Sequence, residues 1–241
     1  MVSKGDKSFS LNEDSIYADT SYLASNPDWH VGESPWKAQK IYEMLKKNHV
    51  NPSRIAEIGC GAGEILVQLE KRFPDSSFVG YELSPQAFEF ARTREKTNVH
   101  FIQGNMFDEE VRFDALLCID VFEHVDDYLG FVRSLKKYAD FKIFHIPLDL
   151  SAQTVLRENA LLKARNTVGH LHYFSKETAI ETLKYCGYDV IDYCLTGLAL
   201  EPPNRGLRAN LMKVPRKLLA QISPDLAARM LGGWSLLVLA K

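Results

Sequence analysis

Seven short apolar runs punctuate this chain, at residues 54–58, 77–82, 99–103, 113–119, 141–146, 188–195 and 234–240. Each is only five to eight residues long and rich in Ile, Val, Leu, Phe and Tyr, so each reads as a strand. Between them apolar positions recur every three to four residues, which predicts helices over 34–48, 64–69, 86–96, 127–138, 152–165 and 176–185. The start signals agree. Ser34-Pro35 and Ser84-Pro85 pair an N-cap residue with a proline at the first helical position, and Ser175 caps the helix after it. Gly187 is the natural C′ residue of that same helix. Strands alternate with helices roughly every 25–30 residues, which implies βαβ units, right-handed crossovers and a mainly parallel sheet. Only the 152–165 helix interrupts the alternation, just ahead of His170-Leu171-His172-Tyr173-Phe174.

Composition adds limits more than detail. With 241 residues, 46% apolar and 25% charged, the chain is expected to form one domain over 1–241, with an N-terminal cap segment at 15–50. An insertion at 201–233, between the last two strands, holds four of the ten prolines and a basic cluster of Arg205, Arg208, Lys213, Arg216 and Lys217. Its Leu218–Leu231 stretch is apolar enough to pack on the sheet edge. A net charge of −2 provides no general field for nucleic acid, so a nucleic-acid substrate is disfavoured. Cys60, Cys118, Cys186 and Cys194 stand singly, without metal-knuckle spacing, and read as reduced residues of a cytoplasmic protein. The first residues have no apolar leader core and no run reaches the ~20 residues of a membrane span, so stable membrane insertion is not expected.

The chemistry begins at Ile55-Ala56-Glu57-Ile58-Gly59-Cys60-Gly61-Ala62-Gly63. Three glycines between the first strand and its helix let the backbone approach a ligand closely, at the strand end where open α/β sheets bind nucleotide-type cofactors. A dinucleotide fingerprint would need glycine at 64, where the chain has Glu. A pyrophosphate there would meet Glu57 and Glu64, both repulsive. A cationic cofactor such as S-adenosylmethionine suits these carboxylates better. Glu82 closes the second strand and, as an acceptor-only carboxylate, can bind both ribose hydroxyls of an adenosine. Leu83 and Met106 are positioned to sandwich the adenine, or else to fill the core.

The order of motifs resembles that of class I S-adenosylmethionine-dependent methyltransferases: Glu57-x-Gly59-x-Gly61-x-Gly63, Glu82, Gly104-Asn105-Met106-Phe107-Asp108, and the run from Phe113 to Val125. The resemblance covers about residues 50–195. It implies a Rossmann-like, doubly wound α/β sheet of seven strands in the order 3-2-1-4-5-7-6, strand seven antiparallel, with helices on both faces. It also implies a methyl donor held by Gly59, Gly61, Gly63, Glu82 and residues near 105, with Glu57, Cys60 and Asp120 lining the same cleft. At 105 this chain has Asn where the family more often has Asp to accept from the adenine amino group. Asn105 can accept through its amide oxygen, or Asp108 can take its place.

Methyl transfer depends mostly on alignment of nucleophile, methyl and sulfur, and a hydroxyl acceptor must also lose its proton. Asp120-Val121-Phe122-Glu123-His124 follows strand four, and His124 is the candidate base because imidazole titrates near neutrality. His145, at the end of strand five, is a second candidate or a hydrogen-bonded core residue. His170 and His172 alternate in an extended segment and would share a face, as a substrate-lining pair or a polar surface strip, and His172 joins His124, Asp120 and His145 as a catalytic candidate. The main reading assigns no metal. An alternative set, Asp120, Glu123 and His124, offers hard-cation ligands at suitable spacing, and a resemblance to small-RNA 2′-O-methyltransferases implies His170 or His172 as a further ligand. Tyr22, Trp29, His30 and Trp36 precede or open the first helix; the resemblance implies that this segment closes over the cofactor, the alternative being a hydrophobic anchor for a flexible end. The expected function is methylation of a small-molecule acceptor at oxygen. The alternatives are an NAD(P)-dependent Rossmann oxidoreductase, or a cofactor-binding regulatory partner without turnover. Oligomeric state is not legible.

Overall fold

The computed structural model describes residue 29, residues 31–197 and residues 207–241, the last stretch with side chains from 214 onward. Seven strands form one sheet in the order β3-β2-β1-β4-β5-β7-β6. They are β1 (Arg54–Ile58), β2 (Ser77–Glu82), β3 (Val99–Gln103), β4 (Phe113–Ile119), β5 (Ala139–Pro147), β6 (Val190–Thr196) and β7 (Ser235–Ala240). The first five are parallel, and β7 runs antiparallel to both β5 and β6. The helices are α1 (Ser34–Lys47), α2 (Glu64–Glu70), α3 (Pro85–Arg92), α4 (Tyr128–Ser134), α5 (Ala152–Leu156), α6 (Ala160–Val168), α7 (Lys176–Tyr185), α8 (Leu207–Ile222) and α9 (Pro224–Leu231).

Two apolar clusters sandwich the sheet. One gathers Ile41, Leu45, Leu66, Phe78 and Leu117 beneath α1 and α2, and the other gathers Met106, Leu116, Phe122, Phe144 and Leu183 on the opposite face. All six residues of β7 are buried, as befits a strand flanked by partners on both edges. Register sets the height of the functional edge. Ile58 lies level with Tyr81 and Cys118, and Ile119 with His145, so β1, β2, β4 and β5 end together.

Several expected boundaries move for local reasons. Ser34 is not the cap of α1: a 3-10 turn over Val31–Glu33 already curls the chain, and Glu33 takes the N-cap position without a side-chain bond. The helix expected over 86–96 ends at Arg92, where the Thr93 hydroxyl bonds back to the Phe90 carbonyl. The helix expected over 152–165 is two helices, broken at Asn159, which adopts a left-handed φ of 58°. The Leu218–Leu231 stretch packs on the core through Leu219, Ala220, Ala227 and Ala228, while most of its larger side chains face away. Ala227 and Ala228 are buried, whereas Leu218, Ile222, Leu226 and Met230 are exposed.

Candidate active site

The glycine turn after β1 is held from below by two donations to the Tyr81 carbonyl, from Gly59 N (2.8 Å) and Cys60 N (3.1 Å). Its three glycines all have positive φ, but their surroundings differ. A side chain on Gly63 would collide with the Phe101 ring at 2.4 Å, so that glycine serves packing of the turn on β3. At Gly61, φ is 54° and nothing lies within 4 Å of where a Cβ would stand. That open space adjoins Glu82. Its Oε2 accepts from Gly61 N at 2.8 Å and its Oε1 from Ser84 N at 2.8 Å. Burial raises the Glu82 carboxyl, while those backbone donors act to lower it. Each oxygen keeps acceptor capacity for a ligand hydroxyl.

Asp120, directly after β4, is a non-glycine residue with φ 54°, the kind of local strain that concentrates at functional sites. Its carboxylate is clamped from two sides, by Lys37 Nζ at 2.8 Å and by His145 Nδ1 at 2.6 Å. His145 Nε2 lies 2.9 Å from the Thr196 hydroxyl, which bonds onward to the Ser235 carbonyl. Against its burial, His145 and Lys37 hold the Asp120 carboxyl well below the usual range. Glu57, in β1, is buried with its Oε2 unpartnered, and burial pushes its carboxyl well up. The wall behind the glycine turn is therefore acidic, with Lys37 as its internal counter-charge.

A second group stands at the rim. Glu123, His124 and His170 bring one ligand atom each to within 4.8 Å of one another. Glu123 is wholly buried, and neither of its carboxylate oxygens has a hydrogen-bond partner. Burial, with Asp120 nearby, pushes its carboxyl well up. His124 Nδ1 lies 3.0 Å from the Gly169 carbonyl, and His170 Nδ1 lies 2.6 Å from Asp149 Oδ2. Both rings are thereby oriented through Nδ1.

The sequence-based candidates separate accordingly. Glu57, Gly59, Gly61, Gly63, Glu82 and Asp120 converge at the ends of β1, β2 and β4. Cys60 turns its thiol inward against Gly80, within 3.9 Å of the Gly61 carbonyl, so it is not presented to a ligand. Leu83 is half-buried, but Met106 is fully enclosed in the core and is not presented at the surface of the cleft. Asn105 uses its amide oxygen to cap the short turn after β3, accepting from Phe107 N at 3.1 Å. His145 is buried with both ring nitrogens engaged, which makes it a positioning partner of Asp120. His170 and His172 do not act as a pair. His172 Nε2 bonds the Val125 carbonyl at 2.9 Å and its ring stacks near Tyr128, apart from the His124–His170 group. Burial and the neighbouring His170 lower His124 to about 4, so it is neutral at pH 7 and a weaker base than an ordinary imidazole. Asp120 belongs to the Lys37–His145 clamp, and His170 stands where the alternative metal set had placed Asp120. Tyr22 and His30 lie outside the described residues; Trp36 meets the His145 ring edge-on at 6.4 Å.

Lys37, Thr196 and Asp149 were not anticipated. For Lys37 a signal existed: it shares the apolar stripe of α1 with Ile41 and Leu45, an odd position for a lysine unless it is paired.

A family model described as a methyltransferase domain matches residues 56–140. The tRNA U34 carboxymethyltransferase of Sulfurimonas denitrificans is 28% identical over 116 residues, which is 45% of this chain and 38% of that protein. The malonyl-[acyl-carrier protein] O-methyltransferase of Acetivibrio thermocellus is 26% identical over 168 residues, 67% of this chain and 53% of that one. The chain thus spans about half or less of the length of these relatives. Among solved structures, an S-adenosylmethionine-dependent methyltransferase from Geobacter sulfurreducens, crystallised with S-adenosyl-L-homocysteine, superposes with a TM-score of 0.63 at 16% identity, covering 92% of this chain and 98% of that one. At that identity the likeness speaks for the fold. The sheet order, the glycine turn and the methyltransferase-domain match over residues 56–140 agree with one another, and together they point to the fold and cofactor edge of a class I S-adenosylmethionine-dependent methyltransferase.

Proposed function

We propose that this chain transfers the methyl group of S-adenosylmethionine to a small-molecule acceptor at oxygen, releasing S-adenosylhomocysteine. The observation that carries the reading is the open space at Gly61 beside the anchored Glu82 carboxylate. A nucleoside fits there, with Glu82 accepting from its ribose hydroxyls and the Gly59–Gly63 backbone lying along it. Glu57 and Asp120 stand behind the turn, and the cationic end of the same molecule would favour ionisation of the unpartnered Glu57 carboxyl, which burial otherwise opposes. When bound, the cofactor supplies an already electrophilic methyl group. The chain's own work is to align the acceptor and take its proton. His124 is the proposed base. With a pKa of about 4 it gains its proton late, as the acceptor oxygen becomes acidic on methylation.

The decisive experiment is calorimetry with S-adenosylhomocysteine on the wild-type chain and on Glu82→Ala. Loss of charge-assisted bonds should weaken binding by about 1.5–3 kcal/mol. An unchanged affinity, or no binding by the wild type, would sink the reading.

A second reading concerns the rim. The paired unpartnered oxygens of Glu123, facing two imidazoles oriented through Nδ1, have the donor chemistry of a divalent-cation site, with Asp149 and the Gly169 carbonyl as supports. Such an ion would polarise the acceptor oxygen. The test is whether exhaustive chelation abolishes turnover and Mg²⁺ or Mn²⁺ restores it. Full activity after chelation removes this reading and leaves the first intact.

A further inference from the structure

Four helices, α5, α6, α8 and α9, form a continuous cap: α9 packs on both α8 and α5, and α5 on α6. The cap touches the candidate site directly, since the Gly169 carbonyl that orients His124 ends α6. Its surface is unusual in two respects. Of the twelve large apolar side chains exposed among the described residues, eight lie on these four helices. On α8 they form a single stripe, Val214, Leu218 and Ile222, spaced four apart and 59%, 59% and 79% exposed. Leu226 and Met230 extend the pattern on α9, and Leu156 on α5 is 85% exposed. Neither α5 nor α6 has a buried residue.

The second respect is charge. Helices α6 and α8 contain six basic residues (Lys163, Arg165, Arg208, Lys213, Arg216 and Lys217) and no acidic one. The whole chain has 29 basic and 31 acidic residues, so the remainder holds 23 against 31, a net of −8 beside +6 on two helices. The charges of α9 are accounted for separately, Arg229 by Glu177 and Asp225 by Lys176.

An exposed aliphatic stripe on a basic helix is the pattern of a segment that lies in the interfacial layer of a membrane. No helix among the described residues is long and apolar enough to cross one. We propose that this cap docks on an anionic phospholipid bilayer, with the α8 stripe at the headgroup–acyl boundary and the exposed Lys163, Arg165 and Lys217 among the headgroups, Arg216 being turned inward onto the Leu231 carbonyl. Two other occupants fit less well. A second copy presenting the same face would bring like charges together. A single-stranded nucleic acid would find no aromatic residue on any of the four helices for its bases to stack on.

The test is co-sedimentation of the full chain with vesicles of phosphatidylcholine alone, and with about one-third phosphatidylglycerol, at low and high salt. The expected result is binding that needs phosphatidylglycerol and weakens at high salt. The double variant Leu218→Asp with Ile222→Asp should lower the partition coefficient about tenfold or more at unchanged Tm, because both side chains are already solvated. Tyr185→Asp, equally exposed but on α7, should bind like the wild type. The proposal is overturned by absence of binding to the anionic vesicles at low salt, or by equal binding of the double variant. It is overturned as well by ultracentrifugation showing a dimer that the double variant dissolves.

Discussion

The two halves of this sheet are built on different terms. From β1 to β4 the parallel strands end level, and every feature of their common edge serves one shape: three left-handed glycines, a carboxylate fixed by backbone donors, and buried acids behind it. From β5 onward the chain departs from alternation. It adds helices without buried residues, reverses a strand and carries histidines oriented by distant carbonyls and carboxylates. The family model stops at residue 140, just inside β5. The difference teaches where the constraint lies. On the proposed reading, the first half meets the cofactor and the second meets the methyl acceptor.

That contrast can be broken or sharpened by substitution. The largest effect is expected within the turn itself. Gly63→Ala adds left-handed strain and a collision with Phe101, and should cost about 2–5 kcal/mol by urea denaturation. Gly61→Ala meets no neighbour and should cost only about 1–2 kcal/mol, yet lose cofactor binding by calorimetry. If both variants lost stability equally, the open space at Gly61 would have no special meaning. Next comes the clamp that joins the halves. Lys37→Met leaves the Asp120 carboxylate with one partner fewer and should destabilise by about 2–3 kcal/mol, with a coupling to His145 visible in a double-mutant cycle. Additive effects would mean that the two halves are energetically separate.

A smaller effect should appear at the opposite end of β5. Burial, with Lys136 and Arg112 nearby, lowers Lys142 from 10.5 to about 8. Between those values the unfolded chain holds more protons than the folded one, so stability should rise with pH from about 8 to 10.5. Lys142→Met should remove this rise and gain on the order of 1 kcal/mol at pH 7, measured by denaturation across pH. The smallest change is expected in the cap: Leu156→Ser should stay within about 0.5 kcal/mol of the wild type.

Legibility in the sequence follows the same division. β1 to β4 have the bounds their apolar runs suggest, because each is short, buried and closed by glycine, Ser-Pro or an acidic residue. Glu82 and the glycine turn were readable for the same reason: each directly closes one of these strands, so a local signal marks its place. The break at Asn159 was not, since an Asn in a helical pattern gives little hint of a left-handed φ. Nor was the Lys37–Asp120 pair, whose members are 83 positions apart and meet only once α1 lies across the sheet edge. His124 shows a third limit. Its identity suggested a base titrating near neutrality, but burial, which no local spacing reveals, decided otherwise.

The reversed strand has a consequence for synthesis. Among the described residues β6 pairs only with β7, and β7 is inserted between β5 and β6 although it follows both in the chain. As the polypeptide leaves the ribosome, β5 and β6 must therefore wait, each with a bare edge, until the final wedge is delivered. For that interval the nascent chain depends on chaperones or sheer speed to keep those edges from pairing with a neighbour's.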